Sequence, residues 1–330
     1  MRITQNSIFT NFQTSLQNIQ ERRYNEQLKL STGKDILSLA DDPKRVREIK
    51  DFTNKINKNE IILSNLSNSY NELAAVNENV DSMITIVGNI KQLLVDSTQI
   101  GASKSLATIG TNVKGLLEDL VKLANSNYKD KYLFSGTQTI PGSIVPTAPE
   151  TDNNPFEIVT DAPTPGNPSG LRVSFKGNMN DRTVHKDSTT TEVINLKADE
   201  LFGTNGEQFF QSVVDIYNLM SFQNGLPRPD NQGYTKAESD QINAAHKSIM
   251  NFYDKLTFAN SQNGSRLNRI STIQDQLTEE ITRLKDFRSS EEDTDVARTS
   301  LELKRDETAL NYTLQIGSTL MSRTLFDFLT

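Results

Sequence analysis

The sequence has no cysteine, which excludes disulfides and thiolate-held metals. Tryptophan is also absent, and aromatic residues make up only 7% of the 330 positions. Hydrophobic residues reach 35%, against about 45–50% in ordinary globular domains. That is thin for one compact globule and suits long helices that bury a narrow stripe. Long apolar runs are missing too. The longest, Leu73-Ala74-Ala75-Val76, is far too short for a transmembrane helix, so no membrane insertion is expected. The opening Met1-Arg2-Ile3-Thr4-Gln5-Asn6-Ser7 has no apolar core of a cleaved secretion signal. The protein is therefore expected to stay in the cytoplasm or to leave by a route that cleaves nothing.

Excess positive charge is likewise absent. The net charge is −7 and no dense Lys/Arg run occurs, which excludes a general nucleic-acid binder. Chemistry-bearing patterns are equally scarce. The two histidines, His185 and His246, have no ligand set near them in sequence. The acidic run Glu291–Asp295 lacks the alternating ligands of a calcium loop and reads as a solvated turn. No glycine-rich phosphate loop, His-Glu-x-x-His or Gly-x-Ser-x-Gly is present. The expectation is a protein that is not an enzyme, with no catalytic residue, no metal and no cofactor.

What is present is periodicity. Asp42 is a good N-cap and Pro43 suits the first helical position, so a helix is predicted to start there. A heptad series follows. Ile49, Ile56, Leu63, Tyr70, Asn77, Ile84 and Lys91 fall at position a; Phe52, Asn59, Leu66, Leu73, Val80, Val87 and Leu94 fall at d. Eleven of these fourteen sites are apolar, which argues for a coiled coil or helical bundle. The predicted rod core is Ile49, Phe52, Ile56, Leu63, Leu66, Leu73, Val80, Ile84, Val87 and Leu94. A helix from Pro43 to about Ser97 would be about 80 Å long at roughly 1.5 Å per residue. Each knob contributes roughly 1.5–3 kcal/mol when buried, so a partner helix must cover the stripe.

Gly101 and Gly110 flank a predicted break, after which helix resumes over about 105–130. Seven of the ten prolines then lie between Pro141 and Pro168. Short runs at 156–159, 171–175 and 191–196 read as strands joined by turns. Helical spacing returns at 205–222 and again from about Lys236, with an interruption at Ser289–Asp295. The expected fold is mainly α: a long antiparallel helical bundle or coiled coil formed by the N- and C-terminal segments, with a small inserted β-rich domain. Its expected parts are an N-terminal assembly segment (1–42), the first half of the rod (43–134), the β-rich insert (135–203), the second half of the rod (204–288) and a C-terminal assembly segment (289–330).

Both ends carry family motifs. Leu30-Ser31-Thr32-Gly33-Lys34, followed by Asp41-Asp42-Pro43, resembles the N-terminal signature of flagellins and of flagellar hook-associated protein 3. Met1-Arg2-Ile3-Thr4, Tyr132-Leu133-Phe134-Ser135-Gly136-Thr137 and the ending Leu325-Phe326-Asp327-Phe328-Leu329 resemble the hook-associated protein 3 family more particularly. The resemblance covers about residues 1–140 and 205–330. It implies a structural junction protein of the bacterial flagellum, outside the cell, exported unfolded through the flagellar type III channel. Implied partners are hook-associated protein 1, flagellin, like subunits in a ring, and an export chaperone on the C-terminal helix. A flagellin filament subunit and a cytoplasmic coiled-coil tether are the alternatives; an unrecognised hydrolase has no support in spacing.

The terminal segments look incomplete on their own. Phe9, Phe12, Leu16 and Ile19 form a short stripe, but Arg23 and Glu26 occupy its next two sites, which makes an isolated helix marginal in water. The expected subunit-assembly residues are these four with Leu310, Leu314, Met321, Leu325, Phe326, Phe328 and Leu329. The two segments are expected to order on assembly, when neighbours supply the ordering free energy.

Overall fold

The computed structural model describes residues 2–38, 40–99, 105–146, 149–187 and 189–329, without the side chains of residues 2–6, 8 and 320–329. The N-terminal part holds three helices: α1 (Arg2–Thr32), α2 (Pro43–Ser97) and α3 (Leu106–Ala124). Six short strands follow: β1 (Asn127–Tyr128), β2 (Lys131–Tyr132), β3 (Phe156–Thr160), β4 (Leu171–Phe175), β5 (Thr183–His185) and β6 (Thr191–Val193). Then come α4 (Ala198–Phe202), a 3₁₀ turn (Thr204–Gly206), α5 (Gln208–Ser221), β7 (Phe222–Gln223) and β8 (Leu226–Pro227). Two long helices complete the fold, α6 (Lys236–Glu292) and α7 (Val296–Leu329). The fold is mainly α, with the strands paired consecutively into antiparallel two-stranded hairpins.

Local chemistry sets the helix ends. The Asp42 carboxylate accepts the Lys44 and Arg45 N–H groups at 3.0 and 3.1 Å, with Pro43 at the first helical position. Asp295 caps α7 in the same way through Ala297 and Arg298. Thr235 and Glu238 form a reciprocal capping box at the start of α6. Gly110, expected beside a break, instead lies buried inside α3, and Gly101 falls outside the described residues.

The protein divides into two compact units, residues 1–60 with 278–330 and residues 61–277. In the second unit, α2 and α6 run antiparallel. Asn260 reaches Asp81 at 2.5 Å, Asn263 reaches the Leu73 carbonyl at 2.8 Å, and Lys91 lies over the Tyr253 ring. The α2 seam here buries Ile62, Leu66, Ser69, Leu73, Val76, Val80, Met83, Val87, Ile90 and Leu94. Leu66, Leu73, Val80, Val87 and Leu94 are d positions of the heptad reading. The second buried line runs one residue before the a positions, so Leu63 and Ile84 are only half-buried. This rotation also keeps Tyr70 and Asn77 at the edge of the seam and off its centre.

The core of this unit is rich in phenylalanine. Phe156 of β3 packs edge-on against Phe202 of α4 and lies 5.4 Å from the Phe210 ring of α5. Strands and helices therefore share one core, in which α3 packs against α5. The β5–β6 hairpin is strapped across the long helices: Arg182 pairs with Glu72 of α2, and Glu192 with Arg269 of α6. Val184 joins the apolar cluster of Ile62, Leu66, Leu73, Ile270 and Leu277 beneath it.

Candidate assembly surface of the terminal helices

The unit formed by residues 1–60 and 278–330 is built from two antiparallel pairs. Glu60 accepts from Lys285 at 2.8 Å, and the Phe52 and Phe287 rings lie 6.0 Å apart, so α2 pairs with the end of α6. Ile56 is buried in this seam, whereas Ile49 and Phe52 are half-buried. Helix α1 pairs with α7: Arg22 donates to Asp306 at 3.0 Å, and the Phe12 ring lies against Gly317. The index on one helix falls as the other rises, which makes this pair antiparallel as well.

A polar joint links the two pairs, and the motif Leu30–Lys34 builds half of it. Gly33 closes α1 with φ +72°, its N–H bonded to the Lys29 carbonyl at 2.8 Å; only glycine adopts that conformation without a steric cost. Its own carbonyl accepts the Thr294 N–H at 2.9 Å, while the Asp35 N–H bonds to the Glu292 carbonyl at 2.8 Å. The turn after α1 is thus stitched to the turn between α6 and α7. Charges close around it. Arg45 pairs with Asp35 at 2.8 Å and with Glu291, Lys29 pairs with Asp35, and Lys34 with Glu292. The Arg45 guanidinium holds the Asp35 carboxyl below its usual range, against the opposing effect of partial burial. Asp41 locks the following loop by accepting the Leu37 and Ser38 N–H groups at 2.8 and 2.7 Å.

The α1·α7 pair leaves apolar surface uncovered. On α1, Ile19 is buried, Phe12 and Leu16 are half-buried, and Phe9 is exposed. On α7, Leu310 is half-buried and Leu314 is 51% exposed. Val296, Leu301, Tyr312 and Ile316 are exposed as well. Met321, Leu325, Phe326, Phe328 and Leu329 lie outside the residues whose side chains are described. Sequence reasoning missed Gly33, Asp35, Arg45 and Glu291 as the joint, and Gly317 as the point of closest approach. A lone glycine inside a long helical pattern was the available signal for Gly317.

A two-helix pair with exposed apolar residues on its outer sides can bind other helices. His185 is exposed and His246 half-buried, and among the described residues no His/Cys/Asp/Glu cluster is arranged to hold a metal ion. No described helix is long and apolar enough to cross a membrane.

Residues 3–139 match the bacterial flagellin N-terminal helical region. The match spans α1, the N-terminal half of the polar joint, α2 and α3. Solved structures extend the likeness in fold to 71–77% of this chain. A protein of Vibrio parahaemolyticus described as a flagellar hook-associated protein aligns with TM-score 0.60 and 15% identity, over 77% of this chain and 100% of that one. Flagellar hook-associated protein 3 of Legionella pneumophila aligns with TM-score 0.56 and 12% identity, over 72% of this chain and 97% of that one. FlgL of Xanthomonas campestris aligns with TM-score 0.52 and 15% identity, over 71% and 97% of the two chains. The chain has the fold of the flagellar hook-associated proteins. No curated protein sequence matches it.

Proposed function

We propose that this protein is a structural junction protein of the bacterial flagellum, adapting the hook to the flagellin filament. One observation carries the reading: a flagellin-type N-terminal region folds back on the C-terminal helix, and the resulting pair leaves Phe9, Leu314, Ile316 and Tyr312 open to solvent. Isolated exposed apolar residues are ordinary; here they lie on two sides of α7, Leu314 on one and Tyr312 with Ile316 on the other, as on a helix that neighbouring subunits cover from more than one side. Like subunits in a ring supply the lateral cover. Hook-associated protein 1 meets one side of that ring and flagellin the other. A cytoplasmic chaperone covers the exposed apolar residues of α7 before the protein leaves, unfolded, through the flagellar export channel. The assembly residues act through Phe9, Phe12, Leu16 and Ile19 against Leu310, Leu314, Met321, Leu325, Phe326, Phe328 and Leu329, in the same subunit and its neighbours. Terminal order in the free monomer is then marginal and is completed by assembly.

The flagellin-type match favours one other reading, a filament subunit. Copy number separates the two. Sheared flagella from the source bacterium contain a junction protein in few copies relative to flagellin, and a filament subunit in abundance. Absence from sheared flagella contradicts both.

A further inference from the structure

Three Asn-Gly pairs occur in the sequence, and the fold treats them differently. Asn-Gly is the pair most prone to imide formation, because glycine presents an unhindered backbone nitrogen to the asparagine side chain. Asn205-Gly206 sits in the 3₁₀ turn, where the Gly206 N–H is held by the Gly203 carbonyl at 2.8 Å and Gly206 is buried. Asn263-Gly264 lies inside α6. The helical ladder engages the Gly264 N–H, and Asn263 is fully buried with its amide donating to the Leu73 carbonyl. Asn224-Gly225 forms the two-residue loop between β7 and β8, with φ +54° and +80°. That is the geometry of a type I′ hairpin turn, whose second central N–H points away from the strand ladder. Asn224 and Gly225 are both exposed, and no described acceptor holds the Gly225 N–H.

We infer that Asn224 is a site of spontaneous deamidation in the folded protein. The Gly225 nitrogen, having lost its proton to solvent base, attacks the carbonyl carbon of the Asn224 carboxamide. A new C–N bond closes a five-membered imide, and the bond from that carbon to the carboxamide nitrogen breaks to release ammonia. Water then opens the imide at either carbonyl, leaving aspartate or isoaspartate and one added negative charge. The change stays within the turn. The Arg228 N–H bonds to the Ser221 carbonyl at 2.8 Å, and its guanidinium holds the Leu219, Met220 and Phe222 carbonyls and Glu238, which pins the base of the hairpin. The added charge lands on a cleft that Asn224 lines together with Asp215, Phe222, Glu238 and Gln241. That cleft already carries two carboxylates, so the aged protein has a more acidic rim there.

The test is peptide mass spectrometry on the full-length protein after incubation in warm, mildly alkaline buffer, folded and in guanidinium. In the folded protein the peptide with Asn224 gains about one dalton at least tenfold faster than the peptides with Asn205 or Asn263, which must first open locally. In guanidinium the three rates converge, and Asn224→Gln removes the gain in its own peptide. Equal rates for the three pairs in the folded protein, or an Asn224 that converts only when unfolded, overturns the proposal.

Discussion

The outer end of the Phe12 ring lies against Gly317, close enough that a Cβ added at position 317 would run into it. This contact sets how near α1 approaches α7. Gly317→Leu forces the helices apart and costs about 1–3 kcal/mol, as overpacking does elsewhere. Amide hydrogen exchange checks it: the already weak protection of α1 and α7 in the free protein is lost, while residues 61–277 exchange as before.

Leu314 distinguishes an assembly residue from a core residue. Its side chain is half open to solvent on the single subunit. Leu314→Asp therefore changes the stability of the isolated protein by no more than about 0.5 kcal/mol, as surface substitutions do. Incorporation into flagella falls at least about tenfold, because a carboxylate buried at a subunit contact without a partner is costly. The melting temperature of the purified protein and its recovery in sheared flagella give the two readings.

Arg45 ties three elements together through Asp35, Glu291 and the Glu291 carbonyl. Its side chain is 30% exposed, so solvent screens these pairs. Arg45→Ala destabilises the protein by about 1 kcal/mol, and the difference narrows as salt is raised. Denaturant midpoints at low and high ionic strength measure it; a difference that salt leaves unchanged contradicts the electrostatic account of the joint.

Glu157 gives a pH signature. Burial alone would raise its carboxyl, but the Lys176 ammonium at 2.6 Å and the Thr151 N–H and hydroxyl bring it from 4.5 down to about 2. A carboxyl lowered on folding adds stability that is complete above its unfolded value and is lost as pH falls towards its folded one. The Glu157 contribution is therefore full above pH 4.5 and fades between 4.5 and about 2. Glu157→Gln costs about 1–3 kcal/mol at neutral pH, where it leaves a buried ammonium short of an acceptor, and flattens the acid limb of the stability profile. Thermal melts of both proteins from neutral to acid pH check the window.

Local signals in the sequence went far towards the fold, and long-range ones did not. Asp42-Pro43 marked the start of α2, and the spacing of Leu66, Leu73, Val80, Val87 and Leu94 marked its buried face. The neighbouring line was misplaced by one residue, since the flanking positions Ile62 and Leu63, like Met83 and Ile84, are both apolar and only the partner helix chooses between them. The β7–β8 hairpin lies in the gap between the helical spacings at 205–222 and from Lys236, where Asn224-Gly225 was its signal and Pro227 and Pro229 obscured the strands. The stripe Phe9–Phe12–Leu16–Ile19 was visible by spacing. Its contact with Gly317 and the joint of Asp35 and Arg45 with Glu291 were not, because they join residues from opposite ends of the sequence.

Immunogold labelling of isolated hook–filament assemblies tests the central claim most directly. The account predicts label confined to the boundary between hook and filament, and its loss when the protein carries Leu314→Asp. Label along the whole filament, or none on the flagellum at all, would contradict it.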